Sequence, residues 1–396
     1  MSKRILIVGA GANQVPIIAR ARAMGLFAIA MDGNPEAPGF PEADVYEAAN
    51  ITDAAEIVRV AQRFQANAVY VAAEWAVEAT ARATTALGLP GIRPEVAERV
   101  RNKHAMRKAL QVAGIPGPAF RLATTEQEAL HAFVSIGGPV IVKPSDGNAS
   151  RGVKRVEHLD EMPAAFHLAQ GAARNGAALI EQYLDGEEFN VDGLVHNGIY
   201  RLGGITGKER SAPPNRFDLA INMPPLEDSG LQAKIAEHVA TALKAIGFTI
   251  GTTHAEVIVT EQGPRIVEIA GRPGGGRIPT DLIPLTYGID YTADALRIAL
   301  GEAPSECRAF ERGTAVYWIP AEPGVVTRIS GVDEVRAMVG IHDVVVTARV
   351  GDTLAPIVDC ATRDKVGYVI AQADSAREAM SLAKRAASCI KIETNA

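Results

Sequence analysis

The stretch Ile5 to Ile18, ILIVGAGANQVPII, constrains this chain more than any other. A short apolar run ends in Gly9-Ala10-Gly11 and passes into helix-like periodicity. Asp32 closes the next apolar run, LFAIAMD, and NAVYVAA supplies a third. With the amphipathic stretch DAAEIVRVAQRFQ between them, these runs spell a βαβ pattern. Such a pattern implies a parallel sheet with right-handed crossovers. The same letters resemble the opening of a dinucleotide-binding unit, which needs three glycines: one for the turn, one for close approach of a pyrophosphate, one for helix packing. Here the third position is Gln14, a bulky polar side chain, and Asp32 reads equally well as a polar residue at a strand end. The strand, turn and helix are expected; a bound dinucleotide is not.

The whole chain sets further bounds. Its 396 residues suffice for two or three domains. Apolar residues make up 47% and charged residues 22%, an ordinary globular composition. Forty basic against 46 acidic residues, net −6, give no electrostatic reason to expect nucleic acid or an anionic membrane as partner. Cys307, Cys360 and Cys389 are far apart, with no metal-ligand spacing or redox pair, so a reducing cytoplasm is the expected setting. No apolar stretch approaches the ~20 residues of a membrane span. RILIV is too short for a signal peptide and runs straight into a glycine turn, so no such leader is expected.

Punctuation divides the rest. LGLPGIRP marks a domain edge, and PEVAERVRNKHAMRKALQVAG predicts one helix closed by Gly114, with Pro116 and Pro118 beyond it. GPVIVKP is a buried-strand pattern followed by the small-residue loop SDGNASRGV. AALIEQYLDGEEFNVDGLVHNGIYRL reads as strand, turn and two strands, and KIAEHVATALKAIG as a helix. HAEVIVTEQGPRIVEIAGRPGGG reads as a hairpin around Gln262-Gly263 and then a glycine-rich loop. The tail carries the strands GTAVYWIPA and VGYVIAQAD and the helix SAREAMSLAKRAAS.

Three of these segments carry chemistry. Lys143 ends a strand beside a loop whose exposed N–H groups can fold over phosphates, although no GxxxxGK[ST] exists and an edge lysine beside a surface loop has the same letters. Glu181, Gln182, Tyr183 and Leu184 end a strand, where backbone groups can imitate a base-pairing edge. Glu188 past the turn can accept bonds from ribose hydroxyls; Glu187 reads as a solvated acid. Glu256 and Glu268 stand on adjacent apolar strands of the hairpin, at positions expected to be buried. Facing carboxylates suit Mg²⁺, unless one of them points to solvent. Arg272 and Arg277 flank PGGG and either steady an anionic intermediate or pair with those two acids.

In this order the segments resemble the ATP-grasp superfamily of carboxylate–amine ligases. The similarity runs over nearly the whole chain: Lys103, Lys143, SDGNASRGV with Ser150, the hinge EQYL, Glu188, the acids Glu256 and Glu268, and Arg272 four residues on. It implies an α/β fold of ATP-grasp type: an N-terminal parallel α/β pre-ATP-grasp domain (1–97), an ATP-grasp region (98–300) with a small lid (about 118–190), and a C-terminal subdomain (301–396) completing a larger α+β domain. In this family the first unit holds no dinucleotide; its glycine turn faces the cleft and helps receive a substrate. One departure stands out. Many relatives carry Asn two residues after the second metal acid, and here the residue is Ala270, so either a third metal contact comes from elsewhere or one metal is held loosely. SDGNASRGV and GRPGGG look more like the ligases that join two amino acids than like biotin carboxylases.

The resemblance implies a two-step reaction. ATP phosphorylates a substrate carboxylate, and an amine displaces phosphate from the acyl phosphate. Lys103, Lys143, Ser150, the hinge residues Glu181 to Leu184 and Glu188 would hold ATP; Glu256 and Glu268 would hold Mg²⁺, with Mn²⁺ as the alternative. Arg272 and Lys208 are the catalytic candidates, and the lid would close over the site to keep water from the acyl phosphate. Lys208, Arg210 and Arg216 are candidate carboxylate binders, Arg277 joins them on the substrate side, and Asn13 and Glu74 can meet an amine. Three rivals stay open: a biotin-carboxylase-like or purine-pathway enzyme, a dehydrogenase built on the first unit, and a non-catalytic nucleotide-binding protein. Small molecules are the expected partners, with a homodimer left open.

Overall fold

In the computed structural model, residues 2–147, 151–212, 217–225, 228–305 and 311–395 are described. The chain divides into two units, the first comprising Met1–Gly203, Ala233–Gly275 and Asp290–Glu306, the second Gly204–Gln232, Gly276–Ile289 and Cys307–Ala396.

The first unit opens with strands β1 (Arg4–Val8), β2 (Phe27–Asp32), β3 (Val45–Ala48) and β4 (Ala68–Val71). They form the expected parallel sheet, in the order β3-β2-β1-β4. Ile5 to Val8 and Ala28 to Met31 are fully buried, as continuous apolar runs in a sheet covered on both faces must be. The glycine turn is built by its neighbours. Gly9 sits at φ +103°, and a Cβ there would come within 2.8 Å of the Ala73 Cβ. Asp32 accepts from the Ala10 N–H at 2.7 Å through one oxygen and from the Asn34 N–H at 2.9 Å through the other. Gln14, in the place of the missing glycine, donates to the Ala72 carbonyl at 3.1 Å.

The region expected as one helix is two, Pro94–Arg101 and Lys103–Val112. Asn102 breaks it: with extended backbone, its side chain accepts from the Ala105 N–H and caps the second helix. Apolar periodicity runs through such a break, because capping is a local side-chain event. Next come β5 (Phe120–Ala123), β6 (Val140–Pro144), β7 (Lys154–Val156) and β8 (Ala178–Gln182), an antiparallel sheet in the order β5-β8-β6-β7. Helices Glu126–Ile136 and Met162–Ala172 cover it, burying Val140, Val142, Ile180, Met162 and Phe166.

β9 (Glu187–His196) follows, and β10 (Ile199–Arg210) passes from the first unit into the second. β11 (Asp218–Met223) belongs to the second unit, while β12 (Gly251–Thr260) and β13 (Gly263–Ala270) return to the first as the expected hairpin. There β9, β12 and β13 pair antiparallel side by side. The second unit adds β14 (Gly313–Trp318), β15 (Gly324–Ser330), β16 (Ile341–Val346), β17 (Thr353–Leu354), β18 (Gly367–Ala373) and β19 (Lys391–Asn395). Its strands run β11-β14-β18-β16 in one sheet and β17-β15-β19 in another, and a capping box of Ser375 and Glu378 starts the helix Ala376–Cys389.

Candidate active site

The strand register of the first unit arranges the polar residues in rows. Glu256 lies directly opposite Glu268 across the hairpin and opposite Asn190 on β9. Two residues along, His254 pairs with Ala270 on one side and Asp192 on the other. Side chains two apart on a strand share a face, so Glu188, Asn190 and Asp192 stand together, as do His254 and Glu256. Directly opposed Cβ atoms lie ~5 Å apart, which puts two like charges within reach of one cation. Both carboxylates are half-buried rather than fully buried.

Lys103, the first residue of its helix, ties this hairpin to the small-residue loop. Its Nζ donates to Glu268 Oε1 at 2.9 Å and to the Gly147 carbonyl at 2.8 Å, and its backbone N–H donates to the Ser145 carbonyl at 2.8 Å. The helix break at Asn102 is what puts this lysine at a helix start.

Lys143 and Glu181 point into a buried ionic group on adjacent strands. Lys143 Nζ lies 2.6 Å from Glu181 Oε2, and Arg107 grips the same carboxylate through both Nε and Nη2. Arg107 also donates to the Ile266 and Val267 carbonyls of β13 at 2.6 and 3.0 Å. Burial alone would raise the Glu181 carboxyl; Arg107 and Lys143 outweigh it and hold it at about 2. Burial pushes the Lys143 ammonium down, against the pull of Glu181. The Glu181 side chain is thus committed to the protein, and of this residue only the backbone is left for a ligand. Its next N–H groups are partly used: Gln182 donates to the Ala119 carbonyl and Tyr183 to the Pro139 carbonyl. The Leu184 N–H has no backbone partner among the described residues. Arg155 stacks over the Tyr183 ring at 4.0 Å.

The acid that holds Arg272 is Glu74, from outside the hairpin. Arg272 Nε bonds Glu74, whose other oxygen is taken by Arg101, and Arg272 Nη1 donates to the Pro273 carbonyl at 2.7 Å. Glu74 and Arg101 are nearly inaccessible, with side chains 10% and 6% exposed. Burial opposes ionisation of Glu74, but Arg272 and Arg101 prevail and bring it to about 2. The guanidinium of Arg101 also lies over Trp75 at 4.8 Å.

Asp192 is fully buried and accepts twice, from the Gly274 N–H at 2.8 Å and from His254 Nδ1 at 3.0 Å. Gly274 belongs to the PGGG loop, and a Cβ on it would meet His254 Nδ1 at 2.6 Å and Asp192 Oδ1 at 2.7 Å.

The other expected residues fall in both units. Asn13 is exposed on the first unit. Lys208, on β10 opposite Ile221 of β11, and Arg277, paired with Asp281 at 3.0 Å, belong to the second unit. Ser150 and Arg216 lie outside the described residues. Sequence reasoning missed Arg107, Arg101, Asp192 and His254. Two had a signal: Arg107 is four residues after Lys103, on the same helical face, and Asp192 continues the alternation of Glu188 and Asn190. Among the described residues no helix is long and apolar enough to cross a membrane, and no ready-made cluster of three or more metal-binding side chains exists.

The chain is similar to known proteins along most of its length. Residues 136–281 match the ATP-grasp domain, and residues 316–395 match the L-amino acid ligase C-terminal domain 2. Uncharacterized protein y4rH of Sinorhizobium fredii is 30% identical over 344 residues, 84% of this chain and 69% of that protein. The L-arginine-specific L-amino acid ligase of Bacillus subtilis is 26% identical over 279 residues, 67% of this chain and 66% of that enzyme. In three dimensions, an L-amino acid ligase from Bacillus licheniformis matches with a TM-score of 0.85 at 23% identity, over 100% of this chain and 99% of that one, which shows the shared fold. Domain matches, relatives and fold agree, and the chain belongs to the ATP-grasp superfamily, among its ATP-dependent carboxylate–amine ligases.

Proposed function

We propose that this protein joins two amino acids, activating the carboxylate of one as an acyl phosphate for attack by the amine of the other. The observation that carries this reading is the row Asn190–Glu256–Glu268, with Lys103 binding Glu268 and the Gly147 carbonyl at once. It brings paired carboxylates and a lysine to Gly147 of the small-residue loop. Oxygen donors facing one another at half-buried positions fit a hard divalent cation, with Glu256 and Glu268 as its holders. Bound there, Mg²⁺ supplies charge neutralisation to the phosphates.

The chain's own residues do the rest by positioning and electrostatics. Lys103 and Lys143 meet phosphate oxygens, each exchanging part of its present pairing for the ligand. The hinge offers the Leu184 N–H to the base, and Glu188 takes the ribose hydroxyls. Arg272 is held at Nε and Nη1, which leaves Nη2 to bond the acyl phosphate and the oxyanion that follows. Serving the leaving phosphate and the new oxyanion from a fixed guanidinium requires no reorganisation at the moment of reaction.

Screening pairs of amino acids for ADP release tests the reading. ADP formation that requires both a carboxylate donor and an amine acceptor supports it. ADP formation driven by bicarbonate, with no response to any amino acid, contradicts it.

A further inference from the structure

The proposed reaction needs something to orient the attacking amine, and of the two residues expected to meet one, Glu74 is committed to Arg101 and Arg272 and Asn13 is exposed. Asp192 and His254 form a built pair beside the acids. Asp192 is 0% exposed, and both of its oxygens are fixed, one by the Gly274 N–H and one by His254 Nδ1. A carboxylate only accepts, so Nδ1 carries a hydrogen toward Asp192, and Nε2 is the ring nitrogen left to meet a ligand. Among the described residues Nε2 has no hydrogen-bond partner, and it is not among the buried orphan atoms; the side chain is 13% exposed. The ring stands on the same strand face as Glu256, two residues away, and its cross-strand neighbour Ala270 presents only a methyl group. Gly274 closes the other side, with no room for even a Cβ.

We propose that His254, oriented by Asp192, is the acceptor-binding residue: its Nε2 takes a hydrogen bond from the attacking amine and aims the nitrogen lone pair at the acyl carbon. This rests on the ligase reading above. An acceptor atom suits a primary amine, whose N–H can donate while its lone pair attacks, and it offers nothing to a thiolate or carboxylate nucleophile.

The test uses Asp192→Asn and His254→Leu in the full-length enzyme. In the first variant the introduced amide fits the space of the carboxylate: its oxygen keeps the Gly274 N–H, and its N–H donates to Nδ1. That moves the ring hydrogen to Nε2 and converts the acceptor into a donor without removing the imidazole. Both variants are expected to raise KM for the amine about tenfold or more, with KM for ATP and for the carboxylate changed less than about threefold. A thermal melt of Asp192→Asn close to wild type shows that the fold is kept. Wild-type enzyme is given hydroxylamine in parallel, to trap the acyl phosphate as a hydroxamate. Hydroxamate from wild type, with amine KM unchanged in both variants, overturns this assignment alone. An equal rise in KM for Mg·ATP and for the amine places His254 on the nucleotide or metal and also overturns it. No hydroxamate from wild type overturns the ligase reading and this assignment with it.

Discussion

Replacing Glu74 by Gln tests how Arg272, four residues after Glu268, is held. Glu74 bridges Arg101 and Arg272 from a nearly inaccessible position, and its carboxyl lies at about 2 instead of 4.5. That difference corresponds to about 3 kcal/mol of stability at neutral pH. Gln keeps the size but not the charge, and it deprives two guanidiniums of the counter-charge they share, so the loss is expected to be about 3 kcal/mol. The sign is fixed by the lowered value. The contribution is complete above the unfolded value near 4.5 and is lost as the pH falls toward 2. At pH 3 the gap between wild type and variant should shrink to about 1 kcal/mol. The chain has two tryptophans, and Trp75 sits under Arg101, so urea unfolding in a Trp318→Phe background reads this region alone. A loss below about 1 kcal/mol at pH 7, or a loss identical at pH 7 and pH 3, refutes the bridge as the holder of Arg272.

Glu268→Gln should cut turnover by orders of magnitude while the melting temperature stays near wild type, measured as ADP release against a thermal scan; near-normal turnover contradicts the metal role. Arg272→Lys should bind ATP almost as wild type does but form product ~100-fold more slowly, since an ammonium cannot reproduce a guanidinium fixed at two corners; a parallel fall in nucleotide affinity and rate makes Arg272 structural instead. Arg107→Met removes a clamp on Glu181 and on two β13 carbonyls, and should destabilise the first unit by about 3–5 kcal/mol, read by the same Trp75 unfolding curve.

How far the sequence could lead is visible residue by residue. The βαβ opening and the acid hairpin were legible because apolar runs and their spacing determine them, and Glu256 does face Glu268. The break at Asn102 was hidden, since one side chain capping its own backbone leaves the apolar period intact. Partners of buried charges were hidden for another reason. Glu181 meets Arg107 across 74 positions and Arg272 meets Glu74 across 198, separations that no local pattern encodes. If Arg272 paired with an acid at all, the sequence pointed to Glu256 or Glu268, its near neighbours; Glu74 holds it instead. The pairing of His254 with Asp192 depends on the register of β12 against β9, which the alternation of polar residues suggests but does not fix.

The acyl phosphate is the centre of the account, and oxygen transfer tests it without variants. The amino acid that supplies the carboxylate is labelled with ¹⁸O in both carboxyl oxygens and turned over with unlabelled ATP and an amine. Mass spectrometry of the inorganic phosphate then reads the bond that was made. The account predicts one ¹⁸O in each phosphate released, because the carboxylate oxygen that attacked the γ-phosphorus leaves with it. Phosphate that carries no label while the amide product accumulates contradicts it.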